Sequence, residues 1–187
     1  MIFPVYIIGS SVLRKVAEDI TEDYSGLTDL IENMYETMYS SDGVGLAAPQ
    51  IGKSIRLFII DAEPMSEEHP ELKGFKHTFI NAHILEKSED TMKTTEGCLS
   101  IPDIHEDVER FLSVKIKYVN EKFESVTETF TGLAAVILQH EYDHLDGVLF
   151  TDKVSPLRKK FLKRKLAQIA KGHFDKRYKF ILGEKFR

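Results

Sequence analysis

Gln139-His140-Glu141-Tyr142-Asp143-His144 carries more chemistry than any other stretch of this 187-residue chain. It is an H-E-x-x-H pattern inside an apolar run, Leu133 to Leu138 and then Leu145. At 3.6 residues per turn, positions 140 and 144 lie one above the other on one helix face. Two imidazoles so placed can grip one metal ion, and Glu141 can serve an attacking water as general base. The spacing therefore predicts metal-assisted hydrolysis. A chance match in a chain of this length has a probability on the order of 1%. A solvated helix end with two unrelated histidines fits badly, because an all-round apolar run predicts a buried helix. Buried His and Glu are costly unless paired or ligated.

A catalytic zinc-type site needs a third protein ligand and an open position. The segment follows H-E-x-x-H-x-x-G-x-x-H as far as Gly147, then has Phe150 where that pattern needs histidine. The carboxylates downstream are Asp146, Asp152, Asp175 and Glu184, and none is a good glutamate ligand on a following helix. The remaining candidate is Cys98, the only cysteine, in Glu96-Gly97-Cys98-Leu99-Ser100. A lone cysteine can also be a small core residue. The adjoining glycine and carboxylate are unusual for a plain core strand. Cys98 with His140 and His144 gives one thiolate and two imidazoles.

The third cluster is Gly43-Val44-Gly45-Leu46-Ala47-Ala48-Pro49-Gln50. Its small residues let another backbone approach closely. It lacks G-x-G-x-x-G and a following Lys-Ser/Thr, which argues against a nucleotide loop. Gln50 can donate to a developing oxyanion. From this segment alone, a polar turn residue is the simpler reading.

The three segments together resemble the peptide deformylase family, whose G-φ-G-φ-A-A-P-Q, E-G-C-φ-S and Q-H-E-φ-D-H motifs stand complete and in order at 43–50, 96–100 and 139–144. The resemblance runs from the amino terminus to about Ser155-Pro156-Leu157. It implies hydrolytic removal of the N-formyl group from formyl-methionine at the start of nascent polypeptides. It also implies Cys98, His140 and His144 as ligands of one divalent ion, Fe(II) in the cell, with zinc, nickel or cobalt able to substitute. Glu141 would be the general acid/base, with Gln50 and the Leu99 N–H holding the oxyanion. The backbones of Val44, Gly45 and Gly97 would pair with an extended substrate, and Leu133, Val136 and Ile137 would help line the methionine pocket. Arg110 matches a recurrent family arginine, expected to anchor Glu96. Asp103 and His105 depart from relatives that carry Gly or Glu and then arginine, which bears on side-chain preference rather than on the reaction. The alternatives are an H-E-x-x-H metalloprotease, which lacks its third ligand here, and a non-catalytic ribosome-associated metal-binding module, which would not need Glu141 and Gln50.

The composition, 42% hydrophobic, suits one catalytic domain over 1–187 with a basic carboxy-terminal helix or tail from about 156. One cysteine excludes an internal disulfide and fits a reducing compartment. No run approaches the roughly 18 apolar residues of a membrane span. With no signal-peptide pattern at Met1-Ile2-Phe3-Pro4, cytoplasm is the expected compartment, an organelle protein stripped of its transit peptide being the alternative. A monomer is expected. Residues 158–187 hold twelve Lys+Arg against two acids, a balance of +10, whereas 1–157 hold thirteen against twenty-eight, a balance of −15. This asymmetry, and the family's implied work near the ribosomal exit tunnel, make Arg158, Lys159, Lys160, Lys163, Arg164 and Lys165 a candidate rRNA contact; a solvated basic face is the alternative.

Leu27, Leu30, Ile31, Met34, Tyr35 and Met38 form a helical stripe with Ser25 as a possible cap. Arg56–Asp61 reads as a strand and 62–74 as a loop. Further strands are predicted near 78–87, 111–119 and 124–131, with a turn at Asn120-Glu121-Lys122. The motif helix follows Thr131-Gly132, and Pro156 suits the first turn of a helix to about 171. The order predicts an α+β fold with mostly antiparallel sheets around the central metal-binding helix. Cys98 should face that helix from a strand or loop. His69, His77, His83, His105 and His173 read as surface or local structural groups.

Overall fold

The computed structural model describes residues 1–184; Lys185 and Arg187, counted in the basic tail, lie outside the described residues. In chain order the elements are β1 (Val5–Tyr6), α1 (Leu27–Ser40), β2 (Gly45–Ala47), β3 (Leu57–Asp61), β4 (Lys76–Lys87), β5 (Thr91–Cys98) and β6 (Ile101–Phe111). There follow β7 (Ser113–Val119), β8 (Ser125–Thr131), α2 (Gly132–Leu145), α3 (Pro156–Ala170) and β9 (Phe180–Ile181). An antiparallel sheet in the order β2-β3-β4-β7-β8 and an antiparallel β5-β6 hairpin flank α2, while β1 and β9 pair in parallel. This is the expected α+β arrangement.

Side-chain alternation explains how α2 comes to lie inside. On β3, Phe58 and Ile60 pack with Ala134, Ala135 and Leu138 of α2. The alternate residues Leu57 and Ile59 pack with Leu30, Ile31, Met34 and Met38 of α1. A strand buried on both faces reads as a continuous apolar run, as Leu57-Phe58-Ile59-Ile60 does. Helix α2 is buried from Ala134 through Gln139. Its start is enforced by Gly132 at φ +59°, a left-handed turn that places the helix straight after β8.

Helix α1 differs from expectation at its start. Gly26, in the left-handed region, is the N-cap, and no side chain caps the helix there, so Ser25 does not cap it. Ser155 does cap α3, its oxygen accepting from the Arg158 N–H. The 62–74 loop contains two single turns, Glu63–Met65 and Pro70–Leu72, and buries Leu72 against the core. The long strands β5 and β6 are not among the predicted elements, nor are the short β1, β2 and β9. On β6, Ile104, Glu106, Val108 and Arg110 are buried while Asp103, His105, Asp107 and Glu109 are exposed. The period is two, but charged residues stand in half of the inward positions, which hides the strand from a reading based on apolar alternation.

Candidate metal centre

The β5-β6 hairpin ends in the tight turn after Cys98, and that turn faces α2. The Cys98 sulfur and one ring nitrogen each from His140 and His144 lie within 4.8 Å of one another. Cys98 Sγ is 3.3 Å from His144 Nε2. The three predicted ligands are thus brought together from two elements nearly fifty residues apart in sequence. Phe150 is a packing partner instead: it is buried, and its ring centroid lies 5.9 Å from that of His140.

Of the two histidines, His140 is held from behind. His140 Nδ1 is 2.8 Å from Glu96 Oε2, so a proton on Nδ1 leaves Nε2 as a lone-pair donor toward the cysteine. Glu96 in turn accepts two bonds from Arg110, 2.6 Å from Nε and 2.9 Å from Nη2. Arg110 also donates from Nη1 to Asp143 of the motif helix. The sequence reading foresaw the link from Arg110 to Glu96 but not the role of Asp143. The spacing carries a signal for it, since position 143 lies three residues past His140 and so on a neighbouring helix face. Gln139, also in the motif, clamps the helix to the end of β6. Its Nε2 donates to the Phe111 carbonyl at 2.8 Å and its Oε1 accepts from the Phe111 N–H at 3.2 Å.

Gln50 is oriented by one bond. Its Oε1 accepts from the Ala47 N–H at 2.8 Å, which fixes which end of the amide is nitrogen. Nε2 then lies 3.5 Å from Cys98 Sγ and 3.3 Å from Ser100 Oγ. Gly45 is a glycine because Glu141 needs the room: a Cβ there would stand 2.4 Å from Glu141 Oε1. At Gly97 a Cβ would fall 2.8 Å from the exposed His105 ring. Leu99 sets its side chain against Gly43, and Val44 packs on the core beside α2. Leu133 is half-buried, while Val136 and Ile137 are buried. Among the other histidines, His77 sits amid Phe75, Phe79 and Phe130, and His83 bonds to Asp19.

The electrostatics ask for positive charge. Burial alone would raise the Glu96 pKa, but hydrogen bonds from Arg110 and His140 outweigh it and bring it down to about 2. For His140, burial favours the neutral ring, yet bonds with Cys98 and Glu96 lift its pKa well above 6.5. His144 goes the other way, held well below 6.5 by burial and then by the charge on His140. Burial pushes Glu141 up to about 7. Glu141 Oε2 and His144 Nδ1 are buried without a hydrogen-bond partner among the described residues. A sulfur and two imidazoles with carboxylates nearby fit a divalent transition-metal ion; hard cations prefer all-oxygen sites.

Comparison with known proteins points the same way. The family model for polypeptide deformylase matches residues 2–160. The peptide deformylase of Flavobacterium psychrophilum is 51% identical over 194 residues, covering all of both chains. The crystal structure of peptide deformylase from Thermotoga maritima superposes with a TM-score of 0.75 at 42% identity, over 83% of this chain and 99% of that one. A class I type b peptide deformylase from Acinetobacter baumannii, solved with Met-Ala-Ser bound, gives 0.75 at 35% identity, over 82% and 99%.

Proposed function

This chain belongs to the polypeptide deformylase family, and from that premise we propose that Cys98, His140 and His144 hold its metal ion while Glu141 moves the proton. The protein is a hydrolase that removes the N-formyl group from newly made polypeptides. The observation carrying the assignment of residues is the meeting of the three ligand atoms within 4.8 Å. A divalent ion there, when bound, supplies a Lewis acid and makes hydroxide accessible near neutral pH.

The chain's own groups do the rest. Glu141, buried beside the three ligand atoms, takes the proton of the attacking water and returns it to the leaving amine as formate departs. Gln50 Nε2 and the Leu99 N–H donate to the oxyanion. Losing such a donor costs about 10²–10³ in rate. Val44, Gly45 and Gly97 offer backbone to an extended peptide, and Leu133, Val136 and Ile137 line the pocket for the methionine side chain. The close packing of Glu141 on Gly45 supports a shallow floor that accepts a formyl hydrogen and rejects a methyl group. Cleavage of an acetyl-Met peptide as fast as its formyl counterpart would remove that support.

The test is formate release from formyl-Met-Ala-Ser by anaerobically purified, iron-loaded protein, with Glu141→Ala beside it. Release that survives in the variant sinks the assignment of Glu141. Fe(II) is the proposed ion, since a thiolate and two imidazoles suit it as well as zinc, nickel or cobalt. Metal analysis after anaerobic isolation from cells decides among them.

The whole chain is proposed as one catalytic domain and a monomer in the cytoplasm, with sedimentation equilibrium and cell fractionation as checks. Among the described residues no helix is long and apolar enough to cross a membrane. Ribosome contact through α3 is proposed on a narrower surface than the sequence suggests. Arg158 is taken up by Glu106, and Lys165 by the Asp103 carbonyl. That leaves Lys159, Lys160, Lys163 and Arg164 at exposed positions beside the exposed apolar pair Leu157 and Phe161. Ribosome pelleting that does not change when those four charges are reversed would rule this contact out.

A further inference from the structure

Tyr178 lies outside all three motifs, 79 residues from the turn it touches. It belongs to the segment that follows α3 and brings β9 back to β1. It is half-buried, packed in the cluster that also holds Ile101, Ile104 and Cys98, and its hydroxyl donates to the Leu99 carbonyl. The next carbonyl, Ser100 O, accepts from the Ile8 N–H at 2.8 Å. The Leu99 side chain rests against Gly43 on the other side. Two successive carbonyls and one side chain of the Leu99–Ser100 turn are therefore held by three distant parts of the chain.

The hydroxyl is not needed to hold the tail. On one side of Tyr178 the Asp175 N–H bonds to Asp103 Oδ2 at 2.9 Å. On the other, the Val5 N–H bonds to the Lys179 carbonyl and the Ile7 N–H to the Ile181 carbonyl, each at 2.9 Å. The Ser11 hydroxyl bonds to Glu184 at 2.8 Å. With the tail secured on both sides, the remaining effect of the Tyr178 bond falls on the turn.

We propose that Tyr178 is a positioning residue for deformylation: by holding the Leu99 carbonyl it fixes the backbone from which the Leu99 N–H is offered to the oxyanion. This rests on the deformylase reading and on the role given there to Leu99. A hydroxyl on the Leu99 carbonyl restrains the Leu99–Ser100 peptide plane, which meets the Cys98–Leu99 plane carrying the Leu99 N–H at the Leu99 Cα, so the donor is steadied through its neighbour; a preorganised donor stabilises a transition state without reorganising at the moment of reaction.

Tyr178→Phe keeps the ring and removes only the bond. The expected result is a fall in kcat of about 10-fold on formyl-Met-Ala-Ser, a fraction of the cost of losing a whole donor. KM, bound metal and the urea midpoint stay as in the wild type, and amide hydrogen exchange across Cys98–Ile101 quickens. Ser11→Ala, which loosens the tail away from the turn, leaves kcat unchanged. Equal kcat in Tyr178→Phe and an active wild type overturns this inference alone, as does a loss that merely tracks bound metal or the urea midpoint. Unchanged exchange across the turn overturns it too. An inactive, metal-loaded wild type instead overturns the deformylase reading beneath it.

Discussion

Two arginine–glutamate pairs share the inward row of β6, and they differ in what surrounds them. Arg110 and Glu96 are both buried, their side chains 2% and 6% exposed, and they are joined to His140 and Asp143. Arg158 and Glu106 make the same forked contact at the rim, where the Arg158 side chain is 53% exposed. Glu106 is 8% exposed, but its partner arginine lies open to solvent. A pair with one member so exposed does not sit in a low-dielectric interior, and water screens it. The geometry of an ion pair is therefore a poor guide to what it does. The inner pair orients a ligand, and the outer one joins α3 to the sheet.

The comparison can be broken from its strong end. Arg110→Leu leaves the buried Glu96 with only His140 beside it, while Asp143 keeps Lys153 at 3.3 Å, and removing one partner of a buried ion pair costs about 3–5 kcal/mol. A urea midpoint near wild type would show that the inner pair is as dispensable as the outer. Glu96→Gln is milder, because the amide can still accept from His140. Loss of such a supporting partner lowers metal affinity about 10–100-fold. Competition with a chelator measures it, and unchanged affinity would mean that His140 needs no orienting partner. At the rim, Arg158→Ala is expected to leave metal affinity untouched and to shift the urea midpoint by no more than experimental error, less again in high salt.

The smallest effect sharpens the contrast through pH. Arg158 first of all, by hydrogen bond and charge, holds the Glu106 carboxyl below its ordinary value of 4.5. A carboxyl lowered on folding stabilises the folded state above its unfolded pKa and loses that contribution as pH falls through the folded one. Any stability difference between wild type and Glu106→Gln should therefore be complete above pH 4.5 and close below it. A difference that instead grows on acidification would reverse the sign assigned to the pair.

What the sequence made legible follows from where its signals are local. The motif helix, α1, α3 and strands β7 and β8 carry periodicity, caps or turns within a few residues, and each lies close to its expected place. The ligand set was legible because the H-E-x-x-H spacing left one soft ligand wanting and the chain has one cysteine. The inward charges of β6 hid a strand whose polar residues are satisfied only by partners on β5, α2 and α3. β1 and β9 are two residues each and pair across almost the whole chain, so no local pattern announces them. Tyr178 is invisible for the same reason, since its partner is a backbone carbonyl, which every residue has.

The β1–β9 pairing also bears on the order in which the contacts of the molecule can form. Val5 waits for Phe180, and Leu99 for Tyr178, while the ligands and Glu141 are all made earlier. Chains fold from the amino terminus as they emerge, and long loops close late because their ends must first exist. A molecule still being synthesised can have made Cys98, His140 and His144 yet lack β9, the partner of β1, and the Tyr178 hydroxyl that meets the Leu99 carbonyl.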